Sequence, residues 1–394
     1  MPPTELLISA GEASGDMYAA QLARALRDRA NVHLFGMGGP RMREAGVEIV
    51  VDCAEVGVAG IFEVARKIPA LRRAMRTLRA EAQRRRPPLA ILTDFPGFHL
   101  RLARTLHRRG VQNVYFVCPQ FWAWRPWRVN LVRRRFARGL CLFPFETDFY
   151  RKAGVTADWI GHPLVGQARA TLTRAEFAAR HGLDPARPII TLLPGSRPSE
   201  LAHHMPRLMP AVARLSSATG AGSTWSPRGT EDRQFVLAVA PGLSRAQLQP
   251  YVPAQAPVHV IEDATYDALA AADVAIVSSG TATIEAALLG APMVVVYRVA
   301  PATAWIARRL MRAPYIAMVN LIAEKLVVPE LIQETFTPEE VTREVEHLLA
   351  SPDARAAMQR ELAEVARRLG PPGAIKRAAE IIAAMLTIRP GSSS

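Results

Sequence analysis

Asp94 closes an apolar run, Leu89–Thr93, and is followed by Phe95-Pro96-Gly97. A carboxylate at the end of a strand can take a proton from a hydroxyl group. The same residue type also forms an ordinary Asx turn ahead of Pro-Gly, and the residues alone leave both readings open. The run Leu6–Ser9 leads into Gly11-Glu12-Ala13-Ser14-Gly15-Asp16. Two glycines admit close backbone approach, and free N–H groups at a helix start suit an anionic or hydroxyl-rich ligand; a plain turn with an Asp cap uses the same residues. Pro194-Gly195-Ser196-Arg197 offers a hydroxyl and a guanidinium where a helix should open, a combination suited to phosphate. Ser278-Ser279-Gly280-Thr281-Ala282-Thr283-Ile284-Glu285 repeats the arrangement, with Glu285 one turn inside the helix and able to accept from a ribose diol. Helix capping alone would explain either loop. Two of them together, with neither a Walker lysine motif nor GxGxxG, point to a nucleoside diphosphate-sugar.

Residues Pro119–Arg128 interleave Trp122, Trp124 and Trp127 with arginine, and Arg133, Arg134 and Arg135 follow. Such a loop can stack on nucleic-acid bases, lie at a lipid interface, or bury its tryptophans in the loop's own core. Ile61, Val64, Ile68, Leu71, Met75 and Leu78 recur at helical steps, bordered by Arg66, Arg72, Arg73, Arg76 and Arg79. This is the pattern of a basic amphipathic helix, with Pro69 expected to begin a second segment. With the tryptophan loop it favours contact with an anionic membrane through Trp122, Trp124, Arg72, Arg73 and Arg76, although a core-facing stripe reads alike. Trp305, Ile306 and Leu310 with Arg308, Arg309 and Arg312 form a third patch of this kind. The histidines, His203-His204 included, have no metal-ligand spacing. No metal site and no cofactor are expected, and leaving-group charge would fall to helix dipoles and Arg197.

These loops need strands and helices to hold them. Strands are expected at Leu6–Ser9, Val32–Phe35, Leu89–Thr93, Val114–Val117 and Leu140–Phe143, with helices over Asp16–Arg29, Pro69–Arg85, Leu100–Arg109 and Glu146–Ala153. The pattern resumes with strands at Ile189–Leu193, Phe235–Ala240, Val258–Ile261, Val274–Val277 and Met293–Tyr297, then helix alone from Pro338. Alternation of this kind gives α/β folds with parallel sheets, which bind ligands beyond the carboxyl ends of their strands. A linker fits at Gly161–Gly166, so the domains expected are 1–163, 164–350 and a helical tail, 351–394, packing back on the first. Residues 216–232 lack an apolar period and suit an insertion.

The chain has 394 residues, enough for two ordinary domains, with 49% hydrophobic and 21% charged residues. Cys53, Cys118 and Cys141 form no CxxC pair and cannot all pair, which speaks against a disulfide framework or structural zinc. No secretory signal and no spanning segment are visible, so the chain is expected to be soluble or to lie on a membrane. Its net charge of +14 is uneven: residues 1–163 hold 26 basic and 14 acidic residues, and 56–145 hold 19 and 3. A field of that kind implies a polyanionic partner, nucleic acid or an anionic lipid surface.

Together these stretches resemble the lipid-A-disaccharide synthase family, glycosyltransferase family 19. The matching segments are AGEASGD at 10–16, GMGGPRM at 36–42, Asp94-Phe95-Pro96-Gly97-Phe98 and CPQFWAWR at 118–125. They continue with FPFE at 143–146, IGHPL at 160–164, LLPGSRPSE at 192–200, SSGTATIEAALLGAPMVVVYR at 278–298 and VNLIAEKLVVPELIQ at 319–333. The resemblance implies a GT-B fold, two Rossmann-like domains facing a cleft. It implies transfer of 2,3-diacylglucosamine from its UDP derivative to the 6-hydroxyl of 2,3-diacylglucosamine 1-phosphate, with inversion. Asp94 would be the base. Ser196, Arg197, Ser279, Gly280, Thr281 and Glu285 would hold UDP, and Asn320, Glu330 and Gln333 would face donor or acceptor. The glycine loop of Gly11, Glu12, Ser14, Gly15 and Asp16 would serve the acceptor. The resemblance also implies a cytoplasmic protein on the inner membrane of a Gram-negative bacterium, able to form a homodimer through its C-terminal part. Two positions depart from the family pattern: His99 stands where asparagine is frequent, and Glu324 where glycine is usual. Other readings are a different UDP-sugar enzyme of the same fold acting on a lipid-linked acceptor, such as the lipid II enzyme, and a basic nucleic-acid-binding protein.

Overall fold

Strands of three to seven residues form two parallel sheets. The structure, a computed structural model, describes residues 2–56, 61–123, 125–217, 233–310 and 313–387. The first sheet is built from β1 (Thr4–Ala10), β2 (Val32–Gly38), β3 (Glu48–Asp52), β4 (Leu89–Thr93), β5 (Gln112–Phe116), β6 (Arg138–Cys141) and β7 (Ala157–Trp159), in the order β3-β2-β1-β4-β5-β6-β7. The second contains β8 (Ile189–Leu193), β9 (Gln234–Ala238), β10 (Val258–Ile261), β11 (Val274–Ser278), β12 (Met293–Tyr297) and β13 (Glu330–Ile332), in the order β10-β9-β8-β11-β12-β13. Both are doubly wound. The strand order reverses between β1 and β4 in one sheet and between β8 and β11 in the other.

Three strands were absent from the sequence expectation: β3, β7 and β13. Each is an edge strand. An edge strand is covered on fewer sides and needs no continuous apolar run, so Glu48-Ile-Val-Val-Asp52 and Ala157-Asp-Trp159 carry little period signal. Helix starts also shift. The first helix opens at Ala13 inside the glycine loop, and the helix after Asp94 opens at Pro96, where proline suits the first turn.

The expected break at Pro69 is corrected. One helix runs Ile61–Arg85 with Pro69 inside it. Ala74, Leu78 and Ala82 lie in the core, with Leu71 and Met75 packed against it. Their burial over three turns outweighs the roughly 3 kcal/mol that an interior proline costs.

The chain divides into two compact units, residues 1–165 with 369–394, and 166–368. The returning tail thus begins at Leu369, not at 351; the Pro352–Arg368 helix belongs to the second unit. In the first unit the Ala374–Thr387 helix packs on the Ala13–Arg27 helix and buries Ala374, Ala378, Ala379 and Ile382. Arg377 fastens it by donating to the carbonyls of Ile160, Pro371 and Pro372. Among the described residues, no helix is long and apolar enough to cross a membrane.

Candidate active site

In the first unit, the loops after β1 and β4 sit side by side at the switch point, where open α/β sheets bind ligands. Asp94 has φ 54° and Phe95 φ 42°, two successive non-glycine residues in the left-handed region. Each such residue costs on the order of 1–3 kcal/mol and persists only where its surroundings hold it. The holding groups are visible. The Asp94 carbonyl accepts from the Tyr115 hydroxyl at 2.9 Å and from His99 Nδ1 at 2.9 Å. Because that ring nitrogen faces a carbonyl it carries the proton, which leaves Nε2 to accept from Ser9 Oγ at 2.8 Å. His99 is wholly buried, and burial lowers its pKa to about 4, so it stays neutral. His99, which departs from the family pattern, thus braces the Asp94 backbone through its ring.

The Asp94 carboxylate accepts from the backbone N–H of Gly11 at 3.0 Å and Glu12 at 3.3 Å. A Cβ on Gly15 would lie 1.7 Å from Asp94 Oδ2, so only glycine leaves room for the carboxylate there. The glycine loop is therefore a cradle for Asp94 itself. Burial raises the Asp94 pKa well above the usual carboxylate range, opposed by the Gly11 and Glu12 N–H groups and assisted by the charges of Glu12 and Asp16. A carboxylate made more basic is suited to accepting a proton. Within the same loop, Ser14 and Glu12 are exposed. Asp16 is buried and turned away, accepting from the N–H groups of Gly39, Arg41 and Met42 at 2.6, 3.0 and 3.2 Å. It caps the Pro40–Glu44 helix, and the GMGGPRM segment is held by it.

In the second unit, β8 ends at the Pro194–Arg197 loop and β11 at the Ser278–Gly280 loop, again at the switch point. Ser196 and Arg197 are exposed at the start of the Pro198–Ser217 helix. Glu200, which the sequence reading passed over, folds back on this loop: it accepts from the Ser196 N–H at 2.8 Å and lies 3.6 Å from the Arg197 guanidinium. A Cβ on Gly195 would fall 2.4 Å from the same carboxylate. An oxyanion thus already fits the N–H groups of this helix start. His204 was also missed. Buried, with its pKa lowered by desolvation, it donates from Nδ1 to Pro194 O at 2.6 Å and accepts from Arg298 N at 2.9 Å, joining the loop to the end of β12. Ser279 Oγ donates to Ile316 O at 3.0 Å, Gly280 has φ 152°, and Thr281 is exposed at the opening of its helix. Glu285 is half-buried, its pKa raised by desolvation, and it accepts from the Tyr266 hydroxyl at 3.3 Å.

The three residues of the VNLIAEKLVVPELIQ segment are each tied to this unit by hydrogen bonds. Asn320 is fully buried: Nδ2 donates to Val328 O and Glu330 Oε1, both at 2.9 Å, and Oδ1 accepts from Val327 N and Val328 N. Four bonds exhaust an amide's capacity. Glu330 accepts from the N–H groups of Ile316 and Ala317, which fixes the carbonyl that Ser279 binds. Gln333, at φ 56°, exchanges 3.3 Å hydrogen bonds with Val299 through its amide and accepts Arg298 Nη1 on its carbonyl.

The expected membrane residues scatter. Trp122 is half-buried, its indole donating to Glu146 at 3.1 Å and its ring edge-on to Phe145; among the described residues of this loop, Trp127 is exposed. Trp124 lies outside the described residues, as do the side chains of Ile61, Val64, Arg66, Ile306 and Leu310, residue Arg312 and most of 216–232. Arg72, Arg73 and Arg76 are exposed, but Leu71, Met75 and Leu78 of the apolar stripe face the core. The helix needs that face to cover the sheet. Among the described residues, no group of three or more His, Cys, Asp or Glu is placed to hold a metal ion.

A family model described as lipid-A-disaccharide synthetase matches residues 6–384. The chain is 44% identical over 402 residues to a lipid-A-disaccharide synthase of Acidobacterium capsulatum, covering 98% of this chain and 97% of that one. It is 44% identical over 385 residues to one of Solibacter usitatus, covering 97% of each. Solved structures share the fold at low identity. A UDP-N-acetylglucosamine 2-epimerase from Listeria monocytogenes superposes with TM-score 0.60 at 12% identity, over 98% of this chain and 96% of that one. The calicheamicin glycosyltransferase CalG4 gives TM-score 0.60 at 15% identity, over 98% and 99%.

Proposed function

The chain belongs to the lipid-A-disaccharide synthase family, a GT-B glycosyltransferase family, and from that premise we propose the substrates and the residues that act on them. The donor is UDP-2,3-diacylglucosamine and the acceptor 2,3-diacylglucosamine 1-phosphate. Asp94 removes the proton of the acceptor 6-hydroxyl as that oxygen attacks the anomeric carbon. The bond from that carbon to the UDP oxygen breaks, UDP leaves with the electron pair, and the configuration inverts. The observation that carries this is Asp94 itself: a carboxylate at a switch point, on a strained backbone braced by His99 and Tyr115, with a raised pKa.

Ser196, Arg197, Ser279, Gly280, Thr281 and Glu285 hold UDP, the first five at the diphosphate and Glu285 at the ribose. No metal takes part; helix N-termini and Arg197 meet the leaving-group charge. With the family as premise, the excess of basic over acidic residues at 56–145 supports action at the anionic cytoplasmic face of a Gram-negative inner membrane. A detergent-micelle assay with both lipid substrates, read by mass spectrometry, should give the disaccharide 1-phosphate, and none when UDP-N-acetylglucosamine is the donor. A folded, UDP-binding protein that makes no disaccharide would overturn the substrate assignment.

A further inference from the structure

The first unit contains an open groove of about 670 Å³ alongside the Pro96–His107 helix. Six arginines line it: Arg79, Arg101, Arg104, Arg108, Arg128 and Arg135. Among the described residues none of the six makes an ion pair with a carboxylate, whereas Arg85, on the same long helix as Arg79, meets Glu5, Glu48 and Glu81. The groove's guanidinium groups act on one another instead. Arg128 has its pKa lowered by burial and by the charges of Arg125 and Arg101; Arg135 is lowered by burial and by Arg104, Arg134 and Arg108. Arg79 Nε is buried without a hydrogen-bond partner. Cations gathered without acids repel one another, and a multivalent anion placed among them removes that repulsion and supplies the missing acceptors.

The position of the groove narrows the choice of anion. Gly97, three residues beyond Asp94 in the chain, is among the residues that line it, and a Cβ there would meet open space. Arg101 stands five residues after the helix start, about 7–8 Å along its axis at 1.5 Å per residue. Arg128 faces it electrostatically from the loop after β5, its guanidinium 5.5 Å from the Trp127 ring centroid. In a pyranose, C1 and C5, the carbon that carries the C6–O6 arm, are both bonded to the ring oxygen. An acceptor with its 6-hydroxyl at Asp94 therefore carries its 1-phosphate about one sugar ring away. A phosphomonoester is dianionic and offers oxygens to more than one guanidinium fork at once.

We propose that the Arg101–Arg128 end of this groove is the subsite for the phosphate of the acceptor, so that these two arginines select a phosphorylated sugar. The proposal rests on the acceptor reading given above. The shared chemistry is a lipid-borne phosphate, and the experiment separates the acceptor's own phosphate from that of a bilayer headgroup.

The full chain is assayed in neutral detergent micelles with 2,3-diacylglucosamine 1-phosphate and with the same lipid lacking phosphate. The wild-type protein should show a KM about tenfold or more higher for the dephosphorylated acceptor. Arg101→Ala and Arg128→Ala should raise KM for the phosphorylated acceptor by a similar factor, leave the dephosphorylated reaction unchanged, and leave UDP affinity by calorimetry unchanged. Arg101→Lys should recover part of the loss. Equal losses on both acceptors would overturn the proposal. So would losses confined to vesicles of anionic phospholipid and absent in micelles, which would make the groove a headgroup dock. Calorimetric titration with glucosamine 1-phosphate reads the subsite without turnover. A wild-type protein that binds it through Arg101 yet forms no disaccharide would sink the functional reading and keep the subsite.

Discussion

Asp94 combines a left-handed backbone with a carboxylate that a glycine loop encloses. Replacing Asp94 with asparagine keeps the shape and removes the proton acceptor. Asp94→Asn should lower kcat by about two orders of magnitude or more, within the range of general-base contributions, with UDP affinity by calorimetry intact; retained turnover would contradict the role. Arg197 is half-exposed beside Glu200, and a nucleotide diphosphate at this helix start would compete with that carboxylate for the same N–H group and guanidinium. Arg197→Ala should weaken UDP binding by about tenfold, whereas an unchanged Kd would place the guanidinium off the diphosphate. The strand-end positions of Asp94 and Arg197 were legible in the sequence, because apolar runs in an α/β chain mark where its strands stop. Glu200, His204 and Tyr115 were not, since their partners lie across turns or strands and no spacing rule announces them.

Among the elements, the segment from Asp94 into the Pro96–His107 helix depends on a neutral histidine. With His99 lowered from 6.5 to about 4 by burial, the unfolded chain takes up a proton below about pH 6.5 that the folded chain refuses. Stability from this group is complete above pH 6.5 and is lost as pH falls toward 4, by on the order of 3 kcal/mol. Urea unfolding from pH 7 to 4 should show that decline in the wild-type protein and a shallower one in His99→Asn, which has nothing to titrate there; equal slopes would remove His99 as the cause. Glu324 raises a separate point of backbone conformation. It terminates the Met318–Ala323 helix at φ 59°, the left-handed cap position that glycine fills without strain. Glu324→Gly should stabilise the protein by about 0.5–1 kcal/mol in urea unfolding. A loss of stability would mean the side chain contributes more than its backbone costs.

At the scale of the whole chain, the first unit is completed by residues more than 200 positions away. Ile382 is fully buried where the last helix meets the Ala13–Arg27 helix, and Arg377 holds the carbonyl of Ile160. Ile382→Ala should cost about 2–4 kcal/mol in chemical denaturation; a change below 1 kcal/mol would show that the tail contributes little to that unit. The charge bias belongs to this scale as well. Counting residues locates the basic excess at 56–145, but only packing shows which arginines are exposed, which are paired as Arg85 is, and which gather in one groove.

The sequence alone determined the alternation of strands and helices, the strand-end position of both sets of loops and the family, because core periodicity and strand-end motifs are local properties of a chain. The tertiary structure decided the rest. Three of the edge strands, β3, β7 and β13, emerged from pairing rather than from apolar runs, and the stripe beyond Leu71 turned to the core because the sheet needs a cover. Asn320 bonds backbone and the Glu330 carboxylate, and Asp16 bonds backbone N–H groups. A side chain's hydrogen-bonding capacity is fixed by its type, but whether a ligand or the protein's own amides use it depends on which groups folding brings within 3 Å.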